Sequence, residues 1–138
     1  MTTTAIDSNV LIDIVSADPK YGPSSREALE SCAREGSLIV WVEVVAEFAT
    51  GCSSATDPLA ILQALTVSYL DIGMQGAAEI GDVCSRKNKG GRILADYMSA
   101  VHAATHADRL LTRDAEITRM KVPGLVVVTP GDVLGRSS

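Results

Sequence analysis

The sequence predicts an α/β fold in which helices cover both faces of a parallel sheet. Three observations carry this. Short apolar runs alternate with segments of helical period along the chain, the order of repeated strand–helix–strand units. The run Leu38 to Val42 is apolar without interruption, as a strand buried on both faces requires. The 138 residues, 46% of them apolar, suffice for one core, so residues 1–138 are expected to form a single domain.

The elements follow in order. Thr4 to Ile6 reads as a buried strand ending on Asp7, with the polar residues Ser8 and Asn9 leading into a helix through Asp13. After the loop Ala17 to Pro23, Ser24 and Glu27 are spaced as a capping box. They are expected to open a helix with Ala28, Leu29, Cys32 and Ala33 on one face, stopped by Gly36. Leu38 to Val42 is the second strand, and Glu43 to Thr50 the next helix, ending at Gly51. Asp57-Pro58 pairs a cap with a first-turn proline and opens a helix through Leu65. Val67 to Ile72 is the third strand, and Gln75 to about Lys87 a helix. Lys89-Gly90-Gly91-Arg92 is a break. In the helix Ile93 to Ala107, Leu94, Tyr97, Met98, Val101 and Ala104 keep helical period. Arg109 to Thr112 is a strand, Arg113 to Glu116 turns into a short helix, and Leu125 to Val128 is the last strand. The tail from Gly131 to Ser138 is expected to be a loose end.

Composition excludes several functional classes. No apolar run reaches the roughly 18 residues of a membrane span, and no signal peptide is visible, so a cytoplasmic protein is expected. The three cysteines, Cys32, Cys52 and Cys84, are odd in number and far apart, which argues for free thiols over a disulfide framework or a cysteine zinc site. The net charge of −5 means that any basic footprint for nucleic acid is local, and that part of the acid excess can be a carboxylate cluster.

Four acids occupy equivalent places in this scheme. Asp7 ends the first strand, Glu47 lies early in the helix after the second, Asp96 in the first turn of the Ile93 helix, and Asp114 just past the fourth strand. In a parallel sheet these positions share the carboxyl edge, where ligands of open α/β sheets bind. Grouped carboxylates raise one another's pKa, and a hard divalent cation with oxygen ligands relieves this. Such an ion activates water and neutralises charge on a phosphodiester. Each acid also has a plain structural reading: Asp7 caps a helix, Asp96 and Asp114 complement helix dipoles, and Glu47 is solvated. His102 and His106 stand at i, i+4, but with no third ligand in view they read as exposed or partly buried structural histidines, not a zinc pair.

The pieces Ile6-Asp7-Ser8-Asn9-Val10-Leu11-Ile12, Ala46-Glu47-Phe48-Ala49-Thr50-Gly51, Gly91-Arg92-Ile93-Leu94-Ala95-Asp96 and Leu110-Leu111-Thr112-Arg113-Asp114 stand in the order of a PIN domain. Together they resemble the VapC-type toxins of bacterial toxin–antitoxin pairs. The resemblance implies a three-layer α/β/α sandwich with a central parallel sheet. It implies an endoribonuclease dependent on Mg²⁺ or Mn²⁺, a homodimer, and a small antitoxin partner. It makes Asp7, Glu47, Asp96 and Asp114 the catalytic acids, with metal held by Asp7, Asp96 and Asp114 and the attacking water oriented by Glu47. Ser8, Asn9 and Thr112 support the carboxylates by hydrogen bonds. Glu43, one turn before Glu47 on the same face, competes for its role. Arg86, Lys87, Lys89 and Arg92 are candidates for the RNA backbone, or else a solvated loop. His106 departs from the small residue expected before the fourth strand. Two other classes compete with the nuclease: a phospho-acceptor receiver using Asp71, with Thr112 and Lys121 as helpers, and a PIN-like module that binds RNA or protein without cutting.

Overall fold

A computed structural model describes residues 1–87 and 95–135, apart from the side chains of Lys87 and Ala115. The sheet comprises β1 (Thr4–Ile6), β2 (Leu38–Val40), β3 (Val67–Tyr69), β4 (Arg109–Leu111) and β5 (Val127–Val128). All pairings are parallel, in the order β3-β2-β1-β4-β5. The helices are α1 (Ser8–Val15), α2 (Gly22–Glu35), α3 (Val42–Gly51), α4 (Pro58–Ala64), α5 (Gly73–Lys87), α6 (Ala95–His106), α7 (Ala115–Arg119) and α8 (Pro130–Val133). The expected α/β class with a central parallel sheet therefore holds.

β1 is the central strand and is wholly buried, as is β2 beside it. Edge strand β3 buries only Val67 and exposes Ser68 and Tyr69, the pattern of a strand covered on one face. Val10, Leu11 and Ile14 of α1 meet Ala28, Leu29 and Cys32 of α2 and Val44 and Phe48 of α3 in one continuous core. α2 ends where Gly36 passes close to the Thr2 backbone; a Cβ there would run into the Thr2 carbonyl.

The chain runs from β1 to β2 on one side and later returns to place β4 on the other. This makes the crevice between β1 and β4 a topological switch point. The register pairs Ile6 with Leu111, so Asp7 and Thr112 leave the sheet side by side.

Several boundaries differ from the sequence reading. α2 starts at Gly22, with Pro23 in its first turn and Tyr21 at the cap, so Ser24 and Glu27 do not open it. Ser24 Oγ instead donates back to the Tyr21 carbonyl at 3.2 Å. β2 stops at Val40 and Trp41 caps α3, which carries Glu43 into the first turn. The strand expected from Val67 to Ile72 is half as long. The tail is no loose end through Val133: Thr129 and Asp132 form a capping box for α8, which packs on α2. The Asp57-Pro58 start of α4 is as expected, with Asp57 Oδ1 accepting from Leu59 N at 3.1 Å. α6 ends at His106. Its expected start at Ile93, and the Gly90-Gly91 break, lie outside the described residues.

Candidate active site

The site is built on the exits of β1 and β4. Asp7 follows β1 and is 8% exposed. Its Oδ1 accepts from Ser8 N at 2.7 Å, the N-cap of α1. Its Oδ2 accepts from Thr112 Oγ1 at 2.7 Å and from Asn9 Nδ2 at 3.3 Å. The capping and site readings of Asp7 are thus not alternatives, because one oxygen caps the helix while the other faces the β4 exit. Burial raises its pKa, opposed by the Thr112 and Ser8 hydrogen bonds and reinforced by the charges of Asp96 and Glu47.

Thr112 is the hinge of the arrangement. Its Oγ1 donates to Asp7, accepts from Asn9 Nδ2 at 3.1 Å, and accepts from Asp114 N at 3.0 Å. Asp114 caps α7, accepting from Glu116 N at 2.9 Å. Asp96, in the first turn of α6, is exposed, and its pKa is raised by partial burial and by the charges of Glu47 and Asp114. Asp7 therefore feels the charges of Asp96 and Glu47, and Asp96 those of Glu47 and Asp114, across the carboxyl edge.

Both glutamates of α3 turn into this region. Glu47 Oε2 accepts from Ser8 Oγ at 2.6 Å, and Glu43 Oε2 accepts from Ser99 Oγ at 2.6 Å. Burial first, and then the neighbouring Glu47 carboxyl, push Glu43 up to about 8, while the Glu43 carboxyl beside it holds Glu47 below its ordinary value. The sequence reading set Glu43 and Glu47 as rivals for one role; the structure gives them different partners.

Among the described residues, no three His, Cys, Asp or Glu side chains stand together as a ready-made metal cage. The chemistry of the donor set nonetheless fits a hard divalent cation. The donors are carboxylate oxygens, two of them on acids whose neighbours disfavour their charge, and no thiol or imidazole joins them.

His102 corrects an expectation. It is 1% exposed and stacks on Trp41, with ring centroids 4.8 Å apart and planes 10° apart. Burial, then His106 at 5.1 Å between ring centroids, pushes it down to about 4, so it is a neutral core ring. Arg86 is exposed and paired with Asp82 at 3.1 Å. The Lys87 side chain, Lys89 and Arg92 lie outside the described residues. Asp71 Oδ1 accepts from Gly73 N at 2.9 Å ahead of α5, and Thr112 is engaged by Asp7, so the receiver arrangement does not form.

Four residues that hold this arrangement were missed from sequence. Ser99 and Trp41 tie Glu43 to the core: Trp41 Nε1 donates to Ser99 Oγ at 3.0 Å. The spacing of Ser99 three residues after Asp96, on one helix face, was an available signal. Asp13 receives the Arg113 guanidinium in two bonds, Nε to Oδ2 at 2.7 Å and Nη2 to Oδ1 at 2.9 Å. Arg113 also lies over the Tyr21 ring at 4.2 Å. This clamp fixes the backbone between Thr112 and Asp114.

The PIN domain family model matches residues 4–123. No curated protein matches the sequence. Solved structures share the fold, among them the following two. A structure of VapBC2 from Rickettsia felis bound to a DNA fragment from their promoter is 18% identical, with a TM-score of 0.70, over 92% of this chain and 98% of that one. A structure of VapBC-1 from nontypeable Haemophilus influenzae is 16% identical, with a TM-score of 0.63, over 93% of this chain and 98% of that one.

Proposed function

Because the chain belongs to the PIN domain family, we propose that its carboxylate edge hydrolyses RNA phosphodiester bonds and that it is the toxin of a toxin–antitoxin pair. The observation that carries this reading is the geometry at the switch point of the sheet, where Thr112 joins Asp7 to the Asp114 backbone and Ser8 joins Asp7 to Glu47. The VapBC identity of both structural neighbours supports the toxin and its partner. The receiver alternative falls with the family match.

Asp7, Asp96 and Asp114 would hold Mg²⁺ or Mn²⁺. When bound, such an ion lowers the pKa of water and neutralises charge on the phosphate under attack. The chain's own residues do the rest. Thr112 and Asn9 hold Asp7 Oδ2, so this carboxylate is set before any ligand arrives. Ser8 holds Glu47, which orients the attacking water and accepts its proton. Thr112 and the α7 cap fix the start of the Asp114 helix. Arg86, Lys87, Lys89 and Arg92 would supply local basic contacts for the RNA backbone on a chain whose net charge is −5.

A ribonuclease in the cytoplasm needs restraint. The acid edge is a receptor for a basic side chain, and an arginine offers a planar fork that matches carboxylates. A short antitoxin helix packing near α2 and α3 would direct an Arg or Lys toward Asp7 and Asp96, and a second copy of the chain would complete a homodimer. The test is growth of cells expressing this protein alone and then with the small open reading frame beside its gene. Toxicity relieved by that neighbour is the expected result. Harmless expression of an active protein, or toxicity without rescue, rejects the toxin reading.

A further inference from the structure

We propose that Trp41 is a positioning residue of this site: through the Ser99 hydroxyl and the His102 ring it holds the start of α6, and with it Asp96, against the start of α3. The catalytic meaning rests on the nuclease reading above; the anchoring of the helix does not.

The four acids are not held alike. Asp7 accepts from Ser8, Asn9 and Thr112, Glu47 from Ser8, and Asp114 from the Glu116 amide. Among the described residues, no hydrogen bond or salt bridge reaches the Asp96 carboxylate. It is exposed, and the like charges of Glu47 and Asp114 push it outward. Its place is therefore set by where α6 lies. Ala100, Val101 and Ala103 bury that helix against the core. Apolar contact is non-directional, so it sets the depth of a helix better than its rotation or its position along its own axis.

Trp41 supplies the missing direction. It stands at the cap of α3, immediately after β2, and is 3% exposed. Its side chain meets α6 twice. Nε1 donates to Ser99 Oγ at 3.0 Å, and the ring stacks on His102 with centroids 4.8 Å and planes 10° apart. Asp96, Ser99 and His102 follow one another at spacings of three, so they run along one face of α6. An indole N–H only donates, so Ser99 accepts from Trp41 and keeps its single hydrogen for Glu43 Oε2, 2.6 Å away. Glu43 lies in the first turn of α3, one turn before Glu47. The bridge thus runs from the end of β2 to α6 and back to the helix that carries Glu47. Two directional contacts on successive turns fix both the rotation and the axial position of α6, and Asp96 is the next residue along that face.

The test uses the full chain and reads RNA cleavage against Mg²⁺ concentration. Ser99→Ala removes the hydroxyl; Trp41→Phe keeps a ring for His102 but loses the N–H. In each, the Mg²⁺ needed for half-maximal cleavage should rise about 10-fold, while the rate at saturating Mg²⁺ stays within about threefold, the scale of losing an outer support of a metal ligand. The double variant should match the poorer single, since one bond is lost either way. Leu62→Val, on α4 where it packs against the edge strand β3, should lower the melting temperature and leave that midpoint in place. An arm independent of activity is amide hydrogen exchange in metal-free protein. Ala100 and Val101, whose helical bonds close on the first turn of α6, should exchange about fivefold faster in Ser99→Ala, beyond any change at Val10 and Leu11 of α1. An unchanged Mg²⁺ midpoint in both single variants, a midpoint that Leu62→Val moves equally, or exchange that rises no more in α6 than in α1 overturns the proposal. If the parent cleaves no RNA, the nuclease reading fails and the exchange comparison alone decides whether Trp41 anchors α6.

Discussion

Replacing Arg113 by Gln should cost far more than its partly exposed position suggests. The Asp13 side chain is 3% exposed and Arg113 36%. The Arg113 guanidinium makes both of its bonds to one buried carboxylate, which among the described residues otherwise receives only Ser25 Oγ at 3.1 Å. Removing one partner of such a pair leaves a buried charge uncompensated, a loss of about 3–5 kcal/mol. The remaining Ser25 bond favours the lower end, about 3 kcal/mol. For a domain of this size that lowers the melting temperature by about 8–12 °C. The molecule provides its own controls. Arg86–Asp82 and Arg119–Glu116 are ion pairs with both side chains 66–73% exposed, and Gln at either arginine should move melting by no more than about 2 °C. The assay is thermal unfolding of the three variants under one buffer. Adding Asp13→Leu to an Arg113→Met chain, so that charge and partner leave together, should recover most of the loss. Melting of Arg113→Gln within about 2 °C of the parent would refute the reasoning, since the clamp would then be worth no more than a surface pair.

Other expectations follow from the same geometry. Asp96→Asn should stabilise metal-free protein while abolishing cleavage, because Asp96 is exposed and its charge is opposed by Glu47 and Asp114. Asp7→Asn should also abolish cleavage yet destabilise, because an amide nitrogen placed at Oδ2 would face the Thr112 and Asn9 donors; opposite melting shifts in calorimetry check both. Glu47→Gln should reduce the rate by about 10²–10³-fold in single-turnover cleavage, as loss of a key active-site group does. The raised pKa of Glu43 gives the folded state the tighter hold on a proton. Its stabilising effect is therefore full below about pH 4.5 and is lost as pH rises toward about 8, with the lowered Glu47 working the other way. Denaturant titrations of the parent and Glu43→Gln across this window should differ in slope with that sign.

Much of the fold was legible because its signals are local. An uninterrupted apolar run at Leu38 to Val40, an Asp-Pro start at residue 57 and the acids past the ends of β1 and β4 need no tertiary information. The opening of α2 was not, because Ser24 and Glu27 have capping-box spacing while Pro23 and the packing of Gly22 against α1 start the helix earlier. The tail misled for the converse reason: its polar residues are a capping box for a helix that packing on α2 and β5 makes worthwhile. In the candidate site, the four acids could be placed at one edge from the α/β order alone. The groups that orient them, Ser99, Trp41 and the Asp13–Arg113 clamp, act over 56 to 100 residues of sequence separation, which no local pattern encodes. His102 reads as a polar residue in sequence and is a stacked core ring in the fold, because Trp41 supplies its partner from another element.

The most direct measurement is cleavage of a total RNA pool by the purified full chain, with Mg²⁺ or Mn²⁺ present and then removed by excess chelator, beside Asp7→Asn and Asp96→Asn. Cleavage that requires the ion, returns when it is restored and is absent from both variants is the predicted result. Undiminished cleavage in excess chelator, or full activity in either variant, would contradict the assignment of this carboxylate edge as a metal-dependent nuclease site.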